Sequence, residues 1–159
     1  MTRTLAFVTL TGLCAACPPA ACDDVVGPTT VEVGTGLVAF ASVPEGSTIE
    51  VIHGAQGGYH VLGAVRATGI WEGDGPETWP EVDLGLVSDD GAIVDVIAPT
   101  RRRFGPEGDA WVLTAELVVL DITSYDGVEG TAATLAARVT DACGADSTDT
   151  RAVVLTPAE

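Results

Sequence analysis

Both histidines of this chain lie in one glycine-rich stretch, Ile52-His53-Gly54-Ala55-Gln56-Gly57-Gly58-Tyr59-His60-Val61. Imidazole nitrogens are good ligands for copper and zinc, and a turn between two strands could bring His53 and His60 together beside Tyr59. These three residues are therefore a candidate metal or small-ligand site. The alternatives are a glycine loop that contacts a partner and a purely structural turn.

The length of the turn decides whether the two histidines can meet. A loop with an even number of residues sets His53 opposite His60, whereas the five-residue loop 54–58 sets His53 opposite Tyr59. Only the odd loop aligns Ile49 and Val51 with the apolar residues of the following strand, and burial usually fixes register. We therefore expect the histidines on opposite faces of the sheet.

The N-terminus has the pattern of a targeting segment. Arg3 precedes an apolar run from Leu5 to Leu13, which is typical of a secretory signal peptide. The run is about nine residues long, whereas a membrane-spanning helix needs about 20. We predict a signal peptide at residues 1–16, a linker at 17–28 and one domain at 29–159.

The stretch Leu13-Cys14-Ala15-Ala16-Cys17 resembles a bacterial lipobox, in which a cysteine after small residues is diacylated and becomes the mature N-terminus. The resemblance implies that Cys17 is lipidated and anchors the protein to a membrane. Leu13 lies four positions before Cys17 where the lipobox has three, and Cys14 and Cys22 are alternative processing sites. Secretion without a lipid, as a soluble periplasmic or external protein, is the other alternative.

Cysteine parity supports Cys17. If the lipid takes Cys17, the remaining Cys22 and Cys143 can pair in an oxidising compartment, whereas processing at Cys22 leaves Cys143 alone. We expect a Cys22–Cys143 disulfide, with two unpaired thiols as the alternative.

The charge of the chain excludes some partners. The protein has 23 Asp and Glu residues, seven Arg and no Lys, for a formal net charge of −16. A field of this sign repels nucleic acid and anionic surfaces. The one basic cluster, Arg101-Arg102-Arg103, is predicted to neutralise nearby carboxylates rather than to bind phosphate.

The sequence gives only weak indications of calcium binding, sugar binding or catalysis. Acidic residues gather in loops, which leaves calcium binding open, but none has the spacing of a known calcium loop. Trp71 and Trp79, in a loop rich in glycine and proline, could stack on a sugar. The sequence contains neither a nucleophile elbow nor a phosphate-binding loop, so we expect no enzymatic activity and no required cofactor.

Past residue 28 the chain alternates polar and apolar residues between Gly, Pro and Asp, which predicts strands. We expect a hairpin with a three-residue loop, Asp89–Gly91, and Leu86 opposite Val94. In a strand at 111–120 we expect five inward residues, Trp111, Leu113, Ala115, Leu117 and Val119. In a strand at 131–140 we expect Leu135, Ala137 and Val139 inward. Further strands are expected near 30–33, 37–43, 47–53, 59–68 and 149–155, about eight or nine in all.

The segment from Val139 to Leu155 resembles the last hairpin of bacterial extracytoplasmic immunoglobulin-like domains, with a Val-Thr-Asp run, a glycine turn and a Thr-rich return strand. The resemblance implies an all-β fold, a single immunoglobulin-like Greek-key β-sandwich. It also implies that the last turn lies near the start of the first strand, which suits a Cys22–Cys143 bond. The expected function is a non-catalytic binding or structural role in the bacterial cell envelope, with an envelope protein or a glycan as partner.

Overall fold

The computed structural model describes residues 20–25 and 27–158, and nearly all of its regular structure is β. The predicted signal peptide at 1–16 and the proposed lipid site Cys17 lie outside these residues. A 3-10 helix, Ala20–Asp24, precedes the strands. The strands are β1 Thr30–Thr35, β2 Ala41–Ser42, β3 Ser47–His53, β4 Tyr59–Thr68, β5 Glu81–Ser88, β6 Thr100–Arg101, β7 Gly105–Glu107, β8 Ala110–Leu120, β9 Ala132–Thr140 and β10 Asp146–Pro157.

The strands form one curled, mixed sheet in two parts. In the first part, β4 pairs along one side with β8 and along the other with β1, and β2 and β7 extend the two ends. In the second part the order is β3-β10-β9-β5-β6. Strand β3 joins the parts: its first five residues pair parallel to β10, and its last two pair antiparallel to β4.

The core lies between the two parts of the sheet. Its side chains are mostly small and branched, which suits the alternating inward positions of strands. Val33, Val51, Val61, Val65, Val118, Val128, Leu135, Val139 and Leu155 are all fully buried. Leu86 and Phe104 are 1% and 3% exposed.

The prediction for β9 is confirmed. Leu135, Ala137 and Val139 are buried, while Arg138 is exposed. The strand pairs on both sides, with β5 and with β10, and neither register is interrupted. Simple alternation therefore holds along its whole length.

The predicted inward face of β8 is wrong in its second half. Leu113 is buried, but Leu117 is 50% exposed, and Val118 is buried in place of Val119. The register against β4 shifts between the pairs Val65↔Leu113 and Gly63↔Glu116, so two residues of β8 oppose one of β4. This is a β-bulge, and the extra residue moves every later side chain to the other face.

The predicted hairpin after β5 is also wrong. Val87 pairs with Val94, which places Asp95 opposite Leu86, and residues 96–99 leave β5 without forming a strand. The buried Ser88 explains the extra loop residue. Its hydroxyl accepts a 2.9 Å hydrogen bond from Ile93 N–H and donates one of 2.6 Å to Asp90. Gly91 does have the predicted left-handed conformation, with φ 70°.

The segment after this turn connects the two parts of the sheet. Val96 N–H donates to Val119 O and Asp121 N–H donates to Val94 O. The short strands β6 and β7 follow and were not predicted. Of the strand expected at 37–43, only Ala41 and Ser42 form one.

Candidate functional site

The loop between the two histidines has the predicted register. His53 pairs with Tyr59 and Ile52 pairs with His60, so the five-residue loop 54–58 is confirmed. Because adjacent residues of β3 point to opposite faces, His53 and His60 are on opposite faces of the sheet. Ile49 and Val51 do not pair with β4 as expected, because residues 47–51 of β3 pair with β10 instead.

An aromatic cluster surrounds His53. Its ring lies 4.8 Å from that of Tyr59, and Tyr59 packs edge-on against Tyr125 at 4.9 Å. The Tyr125 hydroxyl accepts a 3.0 Å hydrogen bond from His53 N–H. Sequence analysis missed Tyr125, whose Ser-Tyr-Asp-Gly segment indicates only a turn. The cluster fixes the loop through ring packing and one main-chain bond.

Among the residues with described positions, no group of three or more His, Cys, Asp or Glu side chains is arranged to hold a metal ion. The loop carboxylates instead hold the chain itself. Arg138 donates bonds of 2.8 and 2.7 Å to Asp146, which lower the pKa of that carboxyl. Asp90 caps its own turn, and the bonds from Ser88 and Ala92 N–H lower its pKa as well.

A third carboxylate lies between β1 and β4. Burial raises the pKa of Glu32, but hydrogen bonds from Ser42 and Arg66 outweigh burial, so the pKa of Glu32 is lowered. The guanidinium of Arg66 also lies over the ring of Phe40, 4.6 Å from its centroid. This cluster attaches the short strand β2 to the sheet.

The structure brings Cys22 and Cys143 together as a disulfide, with Cα atoms 5.5 Å apart and a sequence separation of 121. Cys22 belongs to the 3-10 helix and Cys143 to the turn between β9 and β10. The bond therefore joins the segment that leads from the N-terminus to one end of the sheet. We call this the disulfide end; the loop 54–58 lies at the other end.

Asp141 organises the disulfide end. The residue is 5% exposed. One carboxylate oxygen accepts hydrogen bonds from the N–H groups of Cys143 and Ala145, at 2.9 and 2.8 Å. The other oxygen accepts a bond of 2.7 Å from Trp71 N–H. A single side chain thus holds the disulfide turn and the start of the loop at residues 71–80.

The arginine cluster also serves this end. Arg102 Nε donates a 2.8 Å bond to Glu116, and Arg101 donates a bond of the same length to the carbonyl of Trp79. The partner of Arg102 is a carboxylate on β8 rather than the nearby Glu107 or Asp109. Arg103 is exposed beside the 71–80 loop.

The 71–80 loop, the segment 103–106 and Trp111, the second residue of β8, line a cavity of about 570 Å³, which we call the tryptophan cavity. Trp71 is buried at 9% exposure and does not line it, whereas Trp79 does. Trp111 lies on the opposite wall, a residue that period-two patterning assigned simply to the inward face of β8. Other lining side chains are Glu72, Asp74, Arg103 and the buried Phe104.

Hydrogen bonds within the 71–80 loop fix the shape of the cavity. The Thr78 hydroxyl donates to Asp74 Oδ1 at 2.7 Å and accepts from two main-chain N–H groups, those of Asp74 and Gly75, at 3.1 Å. Gly73 has φ 77°, and a Cβ there would lie 2.5 Å from the carbonyl of Thr78. The chain therefore needs glycine at this position to close the loop.

A second cavity of about 320 Å³ adjoins the tryptophan cavity. Glu72 and Trp111 line both. The second cavity also reaches Asp24 and Val25 in the segment that follows Cys22. Together the two cavities form a groove across the disulfide end.

Comparison with protein-family models, curated proteins and solved structures finds no match to this chain. Across the part of the chain that the structure describes, no helix is long and apolar enough to cross a membrane.

Proposed function

We propose that this protein is a non-catalytic lipoprotein of the bacterial cell envelope, lipidated at Cys17, with a binding or structural role. The supporting observation is the Cys22–Cys143 disulfide. Disulfides persist in oxidising compartments outside the cytoplasm, and this one leaves Cys17 as the nearest upstream cysteine for a lipid. Secretion as a soluble periplasmic or external protein is the alternative localisation.

We propose further that the sheet is an immunoglobulin-like Greek-key sandwich. Two strand sets on either side of one core support this, as does β3, which pairs parallel with the last strand and then joins the other set. The disulfide end would face the membrane, because the linker is bonded to it. The loop 54–58 at the other end would face away.

Labelling with radioactive palmitate tests the lipid anchor. The wild-type protein should take up label, and Cys17→Ala should lose it. Cys143→Ala, which breaks the disulfide but keeps the upstream cysteines, should stay labelled and is the matched control. Label that survives Cys17→Ala and disappears in Cys22→Ala would move the lipid to Cys22 and overturn the proposal.

The compartment has its own test. The intact mass of the protein isolated from cells should increase by about two daltons when a reductant breaks the disulfide, because each sulfur takes up one hydrogen. No mass change on reduction would mean that the thiols are free in the cell. It would remove the observation on which the proposal depends.

A further inference from the structure

We propose that the tryptophan cavity binds a neutral oligosaccharide, and this inference gives a ligand class to the binding role proposed above. The cavity volume lies within the range of about 300–1,000 Å³ found for small-molecule sites. Its lining includes the partly exposed indole rings of Trp79 and Trp111 and the buried Phe104. Such rings offer flat apolar faces to the C–H side of a sugar ring.

The polar groups of the wall select against other ligand classes. Glu72 and Asp74 repel phosphates and other anions, as does the net charge of −16. Arg103 in the same wall opposes a simple cation. A neutral ring with many hydroxyls satisfies all three side chains, since hydroxyls donate to carboxylates and accept from a guanidinium.

The cavity is held in shape before any ligand arrives. One end of the 71–80 loop is bonded to the buried Asp141 and the other to Arg101. Thr78 and Asp74 close the turn between them. A preformed site loses less conformational entropy on binding than a mobile loop does.

The adjoining cavity extends the site. Because Trp111 and Glu72 line both cavities, a ligand of two or more sugar units can follow the groove from one into the other. The second cavity is bounded by Asp24 and Val25, which belong to the segment that the disulfide attaches to this end of the sheet. An oligosaccharide should therefore bind more tightly than a monosaccharide.

Calorimetric and tryptophan-fluorescence titrations of the purified protein test the proposal, with cellotriose, maltotriose and tri-N-acetylchitotriose as neutral probes and glucose as the monosaccharide. At least one trisaccharide should bind with a dissociation constant on the order of 0.1–1 mM and more tightly than glucose. Trp79→Ala should weaken binding by about tenfold or more, and Trp79→Phe by less, because the smaller ring still offers a flat face.

The matched control is Val38→Ala, which removes an exposed apolar side chain that lines neither cavity and should leave binding unchanged. No binding of any trisaccharide overturns the proposal. So does binding that depends on Val38 and not on Trp79, or binding only of cationic chitosan oligomers that disappears with added salt. Sugar binding does not require the lipid, so failure here and failure of palmitate labelling are separate results.

Discussion

The carboxylate of Asp141 accepts a 2.7 Å hydrogen bond from the main-chain N–H of Trp71, a residue 70 positions earlier in the chain. The same carboxylate accepts hydrogen bonds from the disulfide turn, so Asp141 connects the 71–80 loop to the last hairpin. Its substitution should therefore affect both stability and the tryptophan cavity.

Asp141→Ala should lower the free energy of unfolding by about 2–4 kcal/mol, because buried N–H groups lose a charged acceptor. Urea denaturation followed by tryptophan fluorescence measures the change. Asp126→Ala, at an exposed position in a loop at the other end, should change stability by less than about 0.5 kcal/mol. Equal effects of the two substitutions would show that the hydrogen bonds of Asp141 to the 71–80 loop and the last hairpin do not stabilise the fold.

The disulfide should contribute strongly to stability, because it closes a loop of 121 residues. The chain-entropy relation gives about 4–5 kcal/mol for a loop of this size. The double variant Cys22→Ala/Cys143→Ala should unfold at lower urea concentration and should no longer respond to reductant. A wild-type protein whose midpoint is unaffected by reductant would contradict this prediction.

The lowered pKa of Glu32 predicts that the free energy of unfolding depends on pH. Its pKa in the folded protein lies below the ordinary value of 4.5, so its contribution to stability is present above that value and is lost as the pH falls through the folded pKa. Glu32→Gln should cost about 1 kcal/mol near neutral pH, a modest figure because the ion pair with Arg66 is partly exposed.

The cost of Glu32→Gln should shrink as the pH is lowered below 4.5. Urea midpoints measured across this range give the comparison, with Glu50→Gln on the exposed side of β3 as control. A cost that stays constant with pH would assign the effect of Glu32→Gln to packing rather than to charge.

The bulge in β8 predicts a stabilising substitution. Ala115 has φ 60° and is exposed, and its N–H donates to Gly36 O at 2.9 Å. Glycine adopts this conformation without the Cβ clash, so Ala115→Gly should raise stability by about 1 kcal/mol. Ala132→Gly, at an exposed position of the regular strand β9, should lower it by about 0.5–1 kcal/mol. Thermal unfolding distinguishes the two signs.

The closeness of the two parts of the sheet can be tested at Gly63. A Cβ on this residue of β4 would lie 2.7 Å from Leu84 Cδ2 on β5. Gly63→Ala should therefore destabilise the protein by about 1–3 kcal/mol, and adding Leu84→Ala should cost less than the two separate effects summed.

Gly105→Ala is the matched control for Gly63→Ala, because its Cβ would meet only one atom, Val112 O at 4.0 Å. Denaturant unfolding of the wild-type protein, the two single variants and the double variant gives the coupling energy. Strict additivity of Gly63→Ala and Leu84→Ala would mean that the two side chains do not meet.

Sequence patterns predicted those parts of the fold that local alternation controls. Strand β9 and the loop after His53 followed the expected register, since burial of alternate residues determined both. Strand β8 did not, because the left-handed Ala115 adds a residue at a position where no glycine marks it. The turn after β5 was predicted wrongly, because the buried hydroxyl of Ser88 takes the place of a main-chain carbonyl as the acceptor for Ile93 N–H.

The candidate site was only half visible in the sequence for a similar reason. Trp79 stood out in a glycine-rich loop, but Trp111 lies on a strand, and its place in the cavity wall depends on long-range packing. Trp71, which looked equivalent to Trp79, is instead buried beside Asp141. Period-two patterns assign faces within a strand and do not show which loop crosses above it.

The pairing order ends in very short strands, β2 and β6, and the side branch ends in β7. Each of these three strands itself offers only two or three residues with which a strand of a neighbouring molecule could pair. Extension of the sheet into a fibre through these three strands is therefore disfavoured, because an incoming strand would gain only a few main-chain hydrogen bonds at each of them.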